Sequence, residues 1–261
     1  MKRIKIKQVR ATMADMTRMI TVLGMVIATQ PVGEYDRRIV LLTKERGKIT
    51  AFAKGARRQN SSLLAASNAF AFGTFYLYEG RNSYTVRQAE IQNYFSEFRT
   101  DLEAAWYGMY FLEIADYFTR ENNDEKEMLK LLYQTMRALI SPNLDNCLVR
   151  YIFEWKAMVI NGEYPDIFQC GICGKTIKSA FFDSSQFKIV CRECGEKGRK
   201  YQTLSQSALY ALQYIASSSV EHLYTFRVTD QVLREMKNVV EICKNKVIDK
   251  EFKTEDFLKT L

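Results

Sequence analysis

The chain has 261 residues, a net formal charge of +8 and a hydrophobic fraction of 47%. That length suits one large domain or two to three small ones, and the apolar fraction excludes a mostly disordered chain. No uninterrupted apolar run reaches the ~18 residues that a membrane-spanning helix needs, and six cysteines are too few for a disulfide scaffold.

Residues 1–18 carry six Lys/Arg against one acid. No continuous apolar stretch follows Lys2, Arg3, Lys5, Lys7 and Arg10 before Asp15, which argues against a secretory signal. The segment lacks periodicity and reads as a disordered extension. Met13, Met16 and Met19 are candidate starts, and Met19 directly precedes the first strand-like run. The charge of 1–18 is discounted accordingly.

Residues 19–91 read as β structure. Val22–Thr29 and Arg38–Thr43 are apolar, β-branched runs. Lys48–Lys54 alternates Ile49, Ala51 and Ala53 against Thr50 and Phe52. Thr74–Glu79 and Ser83–Ile91 form a hairpin across Gly80-Arg81-Asn82. Five short strands in about 75 residues leave no room for crossover helices and point to a small antiparallel barrel. An OB-type barrel is the leading candidate and an SH3-like barrel the competitor. On the fourth strand, Phe75 and Leu77 share one face. Tyr76 and Tyr78 share the other, for packing against the helices that follow or for stacking bases.

Residues 100–161 switch to helical periodicity. Thr100-Asp101-Leu102-Glu103 reads as a capping box opening a helix through about Tyr117, apolar nearly all round, as at the centre of a bundle. Met128, Leu131, Leu132, Thr135, Met136 and Leu139 mark a second helix, and Leu148, Ile152, Trp155 and Val159 a third. Ser205 can cap a helix through about Ala216, and Val232, Met236, Val239, Val240, Cys243 and Val247 mark another. The expected organisation is a barrel at 19–99 and a helical domain at 100–261, with a cysteine insert at 168–203 projecting from it.

That insert contains Cys170-Gly-Ile-Cys173, seventeen residues, then Cys191-Arg-Glu-Cys194. Four thiolates at this spacing can close a tetrahedral Zn²⁺ site. Gly174 and Gly195 follow the second cysteine of each pair and suit the unusual backbone angles of such turns. Phe181-Phe182 and Phe187–Val190 read as a short hairpin between them. Four cysteines leave no open coordination position, which points to a structural ion. Cys147 and Cys243 fall on helix faces as core thiols.

Charge is concentrated in the N-terminal third. Residues 19–99 carry eleven Lys/Arg against six acids, whereas 100–165 carry six against eleven. This division suits a polyanion-binding front on a neutral or acidic support; a solvated basic surface is the plainer alternative. Lys54, Arg57 and Arg58 lie in the loop after the third strand, Arg37 and Arg38 open the second, and Lys44, Arg46 and Lys48 flank the turn at Gly47. Guanidinium forks match phosphate oxygens, and Gly55 lets backbone N–H groups approach the same anion. Such contacts read backbone and not sequence. The chain has no GxxxxGK[ST], GxSxG or HExxH motif and a single histidine, His222, and nothing in it assembles into an active site.

Taken together, these residues resemble the bacterial recombination mediator RecO family. The resemblance runs from Thr21 to Leu258. It is carried by Gly24-Met-Val-Ile, Val32-Gly-Glu-Tyr-Asp, Ile39–Lys48, Ala53-Lys-Gly-Ala-Arg-Arg, Ser61-Ser-Leu, the Phe70–Phe75 strand lead, Gln88-Ala-Glu, the CxxC…CxxC insert and the Phe252-Lys-Thr…Phe257-Leu tail. Thr43–Arg58 is its most specific part. It implies an α+β chain: an N-terminal OB-fold β-barrel, then an α-helical domain with a four-cysteine zinc-binding insert. It also implies a cytoplasmic, nucleoid-associated, non-enzymatic protein that binds single- and double-stranded DNA, anneals complementary strands and assists RecA loading. The implied partners are RecR, the acidic C-terminal tail of single-strand DNA-binding protein, RecF and RecA. Some family members lack the cysteines, so the zinc would serve stability. A zinc-bearing nuclease and an RNA-binding OB module are the alternatives.

Overall fold

The computed structural model describes residues 18–178, 180–196 and 201–258. The expected N-terminal extension therefore lies outside the described residues except for Arg18, which already belongs to the first strand. The chain divides between Tyr94 and Phe95 into two compact units.

The first unit is a closed five-stranded barrel in the order β1-β2-β3-β5-β4. Its strands are β1 (Arg18–Val32), β2 (Asp36–Thr43), β3 (Gly47–Ala53), β4 (Phe72–Glu79) and β5 (Tyr84–Asn93). Closure follows from the length of β1. Gly24–Val32 pairs with β2 while Arg18–Met25 pairs with β4, so one strand serves two neighbours. A short parallel contact, Ala51 to Tyr84 and Phe52 to Thr85, joins β3 to β5. This is the OB arrangement. The alternation read in Lys48–Lys54 is present: Ile49, Ala51 and Ala53 are buried and the residues between them half-exposed. Phe75 and Leu77 point into the core with Ile39 and Leu41, while Tyr76 and Tyr78 stay half-exposed on the outside. The β3–β4 connection holds a short helix, α1 (Leu63–Ala66), that periodicity could not reveal in four residues. Its Leu63 joins the barrel core.

The second unit is helical. Its main helices are α2 (Leu102–Phe118), α3 (Lys126–Leu139) and α4 (Asn146–Ile160). The capping of α2 differs from expectation. Asp101, not Thr100, accepts from the Ala104 N–H, and Glu103 accepts from Asn146 instead of closing a box. The helix is also not enclosed on all sides: Leu102, Trp106 and Met109 are exposed. Tyr110, Phe111, Phe153 and Trp155 are fully buried, and the Phe111 and Phe153 rings lie 4.5 Å apart.

The cysteine insert follows, with β6 (Ala180–Asp183), β7 (Lys188–Cys191), α5 (Arg192–Gly195) and β8 (Gln202–Leu204). The chain then returns to the helical body through α6 (Gln206–Ser217), capped by Ser205 as expected, α7 (Asp230–Val247) and α8 (Lys253–Leu258). Buried Lys156 donates to the carbonyls of Ile215, Ala216 and Ser218, placing a cation where the α6 dipole ends. Arg150, Glu154, Lys244 and Glu255 form a buried ion cluster with the Tyr110 hydroxyl at its centre. Among the described residues no helix is long and apolar enough to cross a membrane.

Candidate nucleic-acid interface and metal centre

The eight basic residues singled out from the sequence fall into two groups at opposite ends of the β2–β3 ribbon. Arg37 faces Ala53 and Arg38 faces Phe52, whereas Lys48 faces Leu42 at the far end of the ribbon. At ~3.3 Å per residue the two groups are separated by roughly 20 Å along the strand.

The first group gathers where β2 opens and β3 ends. The Arg57 N–H donates to the Tyr35 carbonyl at 2.8 Å, and its guanidinium reaches the Gly33 carbonyl at 3.3 Å. The Arg58 guanidinium lies 5.0 Å over the Tyr35 ring. These contacts fasten the loop after β3 to the β1–β2 turn and hold Arg57 and Arg58 on the surface beside exposed Arg38 and Lys54. Arg37 is different. Its Nη1 donates to the Leu64 carbonyl, Ser67 Oγ and Asn68 Oδ1 at 3.0, 3.0 and 2.6 Å, tying β2 to α1. Burial, then the nearby Arg57 charge, lowers its pKa, so the two guanidinium groups are close enough to repel. The Gly55 N–H is not open to an outside anion, because Asp36 Oδ1 already accepts it at 2.7 Å. That expectation fails because the loop satisfies its own donor with an internal carboxylate.

The second group surrounds the β2–β3 turn. Thr43 Oγ1 donates to the Gly47 carbonyl and accepts from the Arg46 N–H. Glu45 accepts from the Leu23 N–H at 2.9 Å, pinning the turn to β1. Lys44 is exposed there, and Arg46 and Lys48 are half-exposed.

The four cysteines of the insert meet. The sulfur atoms of Cys170, Cys173, Cys191 and Cys194 all lie within 4.8 Å of one another, and those of Cys173 and Cys191 are 3.8 Å apart. Two tight turns bring them there. The Gly174 N–H donates to the Cys170 carbonyl at 2.9 Å with Gly174 at φ +71°, the left-handed region expected of that glycine. Gly195 serves another purpose: its φ is ordinary, but a Cβ there would stand 2.3 Å from the Phe181 ring. The hairpin between the pairs is β6–β7, closed by Asp183, whose Oδ1 accepts from Ser185 and Gln186 N–H groups. Burial pushes the Cys170 thiol up, but N–H groups of Cys173, Cys191 and Ile172 stabilise its thiolate and bring it down to about 6. Cys194 is pushed up to about 12, first by its hydrogen bond with Cys191 and then by burial. Thiols packed this closely cannot all ionise unless a cation sits among them, so the donor set fits a metal ion. The insert also leans on the helical body: Lys246 of α7 lies 5.0 Å over the Phe187 ring at the hairpin turn.

Two other sequence expectations resolve differently. Cys243 is a buried core thiol, pushed up to about 12 by burial, but Cys147 is exposed. It sits in the first turn of α4 beside the Tyr107 hydroxyl, so its position on the helix does not enclose it. Nor did the residue pattern signal a cavity of about 820 Å³ beside α6, lined by Leu209, Tyr214, Phe226 and Val232 together with Lys178 and Arg227. The helix α6 itself was legible from its Ser205 cap, but not which loop would face it.

Family models for the N-terminal and C-terminal parts of recombination protein O match residues 16–95 and 99–255. The chain is 30% identical over 239 residues to the DNA repair protein RecO of Acetivibrio thermocellus, covering 91% of this chain and 95% of that protein. It is 28% identical over 219 residues to the RecO of Alkaliphilus metalliredigens, covering 84% and 89%. A barrel and a helical body matched in order over nearly the whole length leave one assignment: the chain belongs to the RecO family of DNA repair proteins.

Proposed function

We propose that this chain is a non-catalytic mediator in recombinational DNA repair that binds single- and double-stranded DNA, anneals complementary strands and assists RecA loading. The observation that carries the reading is the gathering of Arg38, Lys54, Arg57 and Arg58, backed by Arg37, at one end of a closed barrel. Two DNA strands repel through their phosphates. Cations held at a fixed surface neutralise part of both, so the strands meet and base pairing supplies the free energy. The second basic group, roughly 20 Å away along the ribbon, extends the track for one strand over several nucleotides. No bond is made or broken and no cofactor takes part.

The metal in this reading is Zn²⁺. A tetrahedron of thiolates at ~2.3 Å from zinc has sulfur–sulfur edges of about 3.8 Å, which the Cys173–Cys191 pair already meets. All four positions are taken by protein, so the ion would hold the insert together and leave no place for a reacting water.

RecR, RecF, RecA and single-strand DNA-binding protein are the partners of this reading. The acidic tail of the last suits the cavity beside α6, where Lys178 and Arg227 accompany an apolar lining. The deciding experiment is strand annealing on DNA that is bare or coated with single-strand DNA-binding protein. Faster duplex formation on both supports the mediator. Cut product with Mg²⁺ would favour a nuclease, and preference for RNA over single-stranded DNA an RNA-binding module.

A further inference from the structure

We infer that the ring of Tyr35 is a stacking platform for one unpaired base, and that it makes the basic end of the barrel favour single-stranded over double-stranded DNA. The inference rests on the DNA-binding reading and deepens it, by naming a residue that meets bases where the cations meet phosphates.

Tyr35 lies in the turn between β1 and β2, two residues after Gly33 at φ +55°. It is 43% exposed, yet it is held in place. Its carbonyl accepts from the Arg57 N–H at 2.8 Å, and the Arg57 guanidinium reaches the Gly33 carbonyl at 3.3 Å. The Arg58 guanidinium covers one face of the ring at 5.0 Å. Among the described residues no other aromatic ring packs against Tyr35, and its hydroxyl has no hydrogen-bond partner.

A single exposed aromatic side chain means nothing by itself. Two features set this one apart. The first is its surroundings: Arg38, Lys54, Arg57 and Arg58 are exposed beside it and Arg37 stands behind them. Of the two neighbouring carboxylates, Glu34 is exposed and Asp36 is engaged by the Gly55 N–H. The second is preorganisation. The turn is fastened to the loop after β3 at two points, so the ring gives up little freedom when a base lands on it. The other exposed tyrosine of the barrel unit, Tyr94, has neither feature: it is the last residue of that unit.

A base has a flat π-face whatever its identity, so stacking on Tyr35 would be indifferent to sequence. In a duplex each base is already stacked between its neighbours and cannot use the ring. The arginines and lysines therefore serve both forms of DNA, and Tyr35 serves one. During annealing the base leaves the ring when it pairs, so the duplex is held by phosphate contacts alone and is released more easily than the strands that made it.

The test is anisotropy titration of the full chain with three labelled probes: an oligodeoxythymidine, the same sugar–phosphate chain without bases, and a hairpin duplex. The wild type should bind the thymidine strand more tightly than the abasic one. Tyr35→Leu should weaken binding of the thymidine strand about tenfold and leave the abasic strand, the duplex and the salt slope unchanged, because no phosphate contact is lost. Tyr35→Phe keeps the ring and should bind as the wild type does. Equal weakening on all three probes with a shallower salt slope would mean that the ring only positions Arg58, and would overturn the inference. An undiminished affinity of Tyr35→Leu for the thymidine strand would overturn it too, as would a wild type that binds thymidine and abasic strands equally. A wild type that binds none of the three probes would sink the DNA-binding reading itself, and this inference with it.

Discussion

The barrel and the cysteine insert solve the same problem with different means. The barrel has strands of 15, 8, 7, 8 and 10 residues that close on themselves and enclose one continuous apolar core. The insert has strands of 4, 4 and 3 residues and buries few apolar side chains of its own, chiefly Ala180, Phe182, Ile189, Val190 and Leu204. A closed sheet satisfies its backbone internally, so the barrel can leave arginines and lysines on its outside. The insert is too small for that and commits four side chains to one point. Its integrity should therefore depend on the ion, and the barrel's should not.

The largest expected effect follows. Binding of an ion by four thiolates is worth about 10 kcal/mol or more, far beyond what three short strands supply. Chelation, or Cys194→Ser, should abolish hydrogen-exchange protection in β6 and β7 and leave β1 to β5 protected. Thiol labelling gives the same result in steps. Cys147 reacts in the loaded protein, the four clustered cysteines join after chelation, and buried Cys243 reacts only on unfolding. Simultaneous loss of barrel protection would remove the contrast. The converse is Leu41→Ala in the barrel core, where Leu41 is fully buried. It should cost about 2–5 kcal/mol in barrel unfolding and leave metal affinity unchanged.

How much of this was legible in the sequence differs between the same two regions. The barrel could be read because Ile49, Ala51 and Ala53 alternate with less buried neighbours, and the period of two is itself the inside–outside pattern. The CxxC pairs could be read because ligand chemistry dictates their spacing. What stayed hidden depends on contacts between segments far apart in the chain. Arg37 looks like any surface arginine until Leu64, Ser67 and Asn68 are brought to it across 27 to 31 residues. The Gly55 N–H looks available until Asp36 arrives. Apolar Leu102, Trp106 and Met109 read as core because periodicity cannot say which face of a helix the rest of the molecule leaves open. Gly195 was legible as a special position but for the wrong reason, since what leaves no room for a side chain there is the Phe181 ring of β6, fourteen residues earlier in the chain.

That last residue sharpens the comparison at a smaller scale. A methyl group at Gly195 would stand 2.3 Å from the Phe181 ring, so Gly195→Ala must displace either the ring or the turn that carries Cys194. Overpacking of this kind costs about 1–3 kcal/mol. Because the turn presents a ligand, the cost should appear as weaker metal retention. Competition with a chromophoric chelator measures it, with the barrel's thermal transition as the internal control. Unchanged retention would mean that the Phe181 ring moves freely and that the sheet does not position the ligand.

The smallest effect on stability and the most direct on binding comes from the barrel's charged end. Arg57 and Arg58 hold their places through a carbonyl contact and an aromatic ring on the surface, whereas Arg37 serves three acceptors between β2 and α1. Arg57→Ala with Arg58→Ala should change barrel stability by less than about 1 kcal/mol, weaken DNA binding, and reduce the slope of log affinity against log salt by up to about two units. Arg37→Ala should do the reverse. It strands part-buried acceptors at a cost of about 1–3 kcal/mol and alters the slope less than the double variant does, because its Nη1 donors are committed to α1 and are not offered to a phosphate. Lys44→Ala with Lys48→Ala tests whether one strand reaches the far end of the ribbon. A further reduction in slope on long single strands but not on trinucleotides would show that both basic groups touch one DNA molecule, since the roughly 20 Å between them exceeds a trinucleotide's contact length. An Arg57/Arg58 variant with an unaltered slope would take the loop out of the interface and leave the Gly47 turn as the binding end of the barrel.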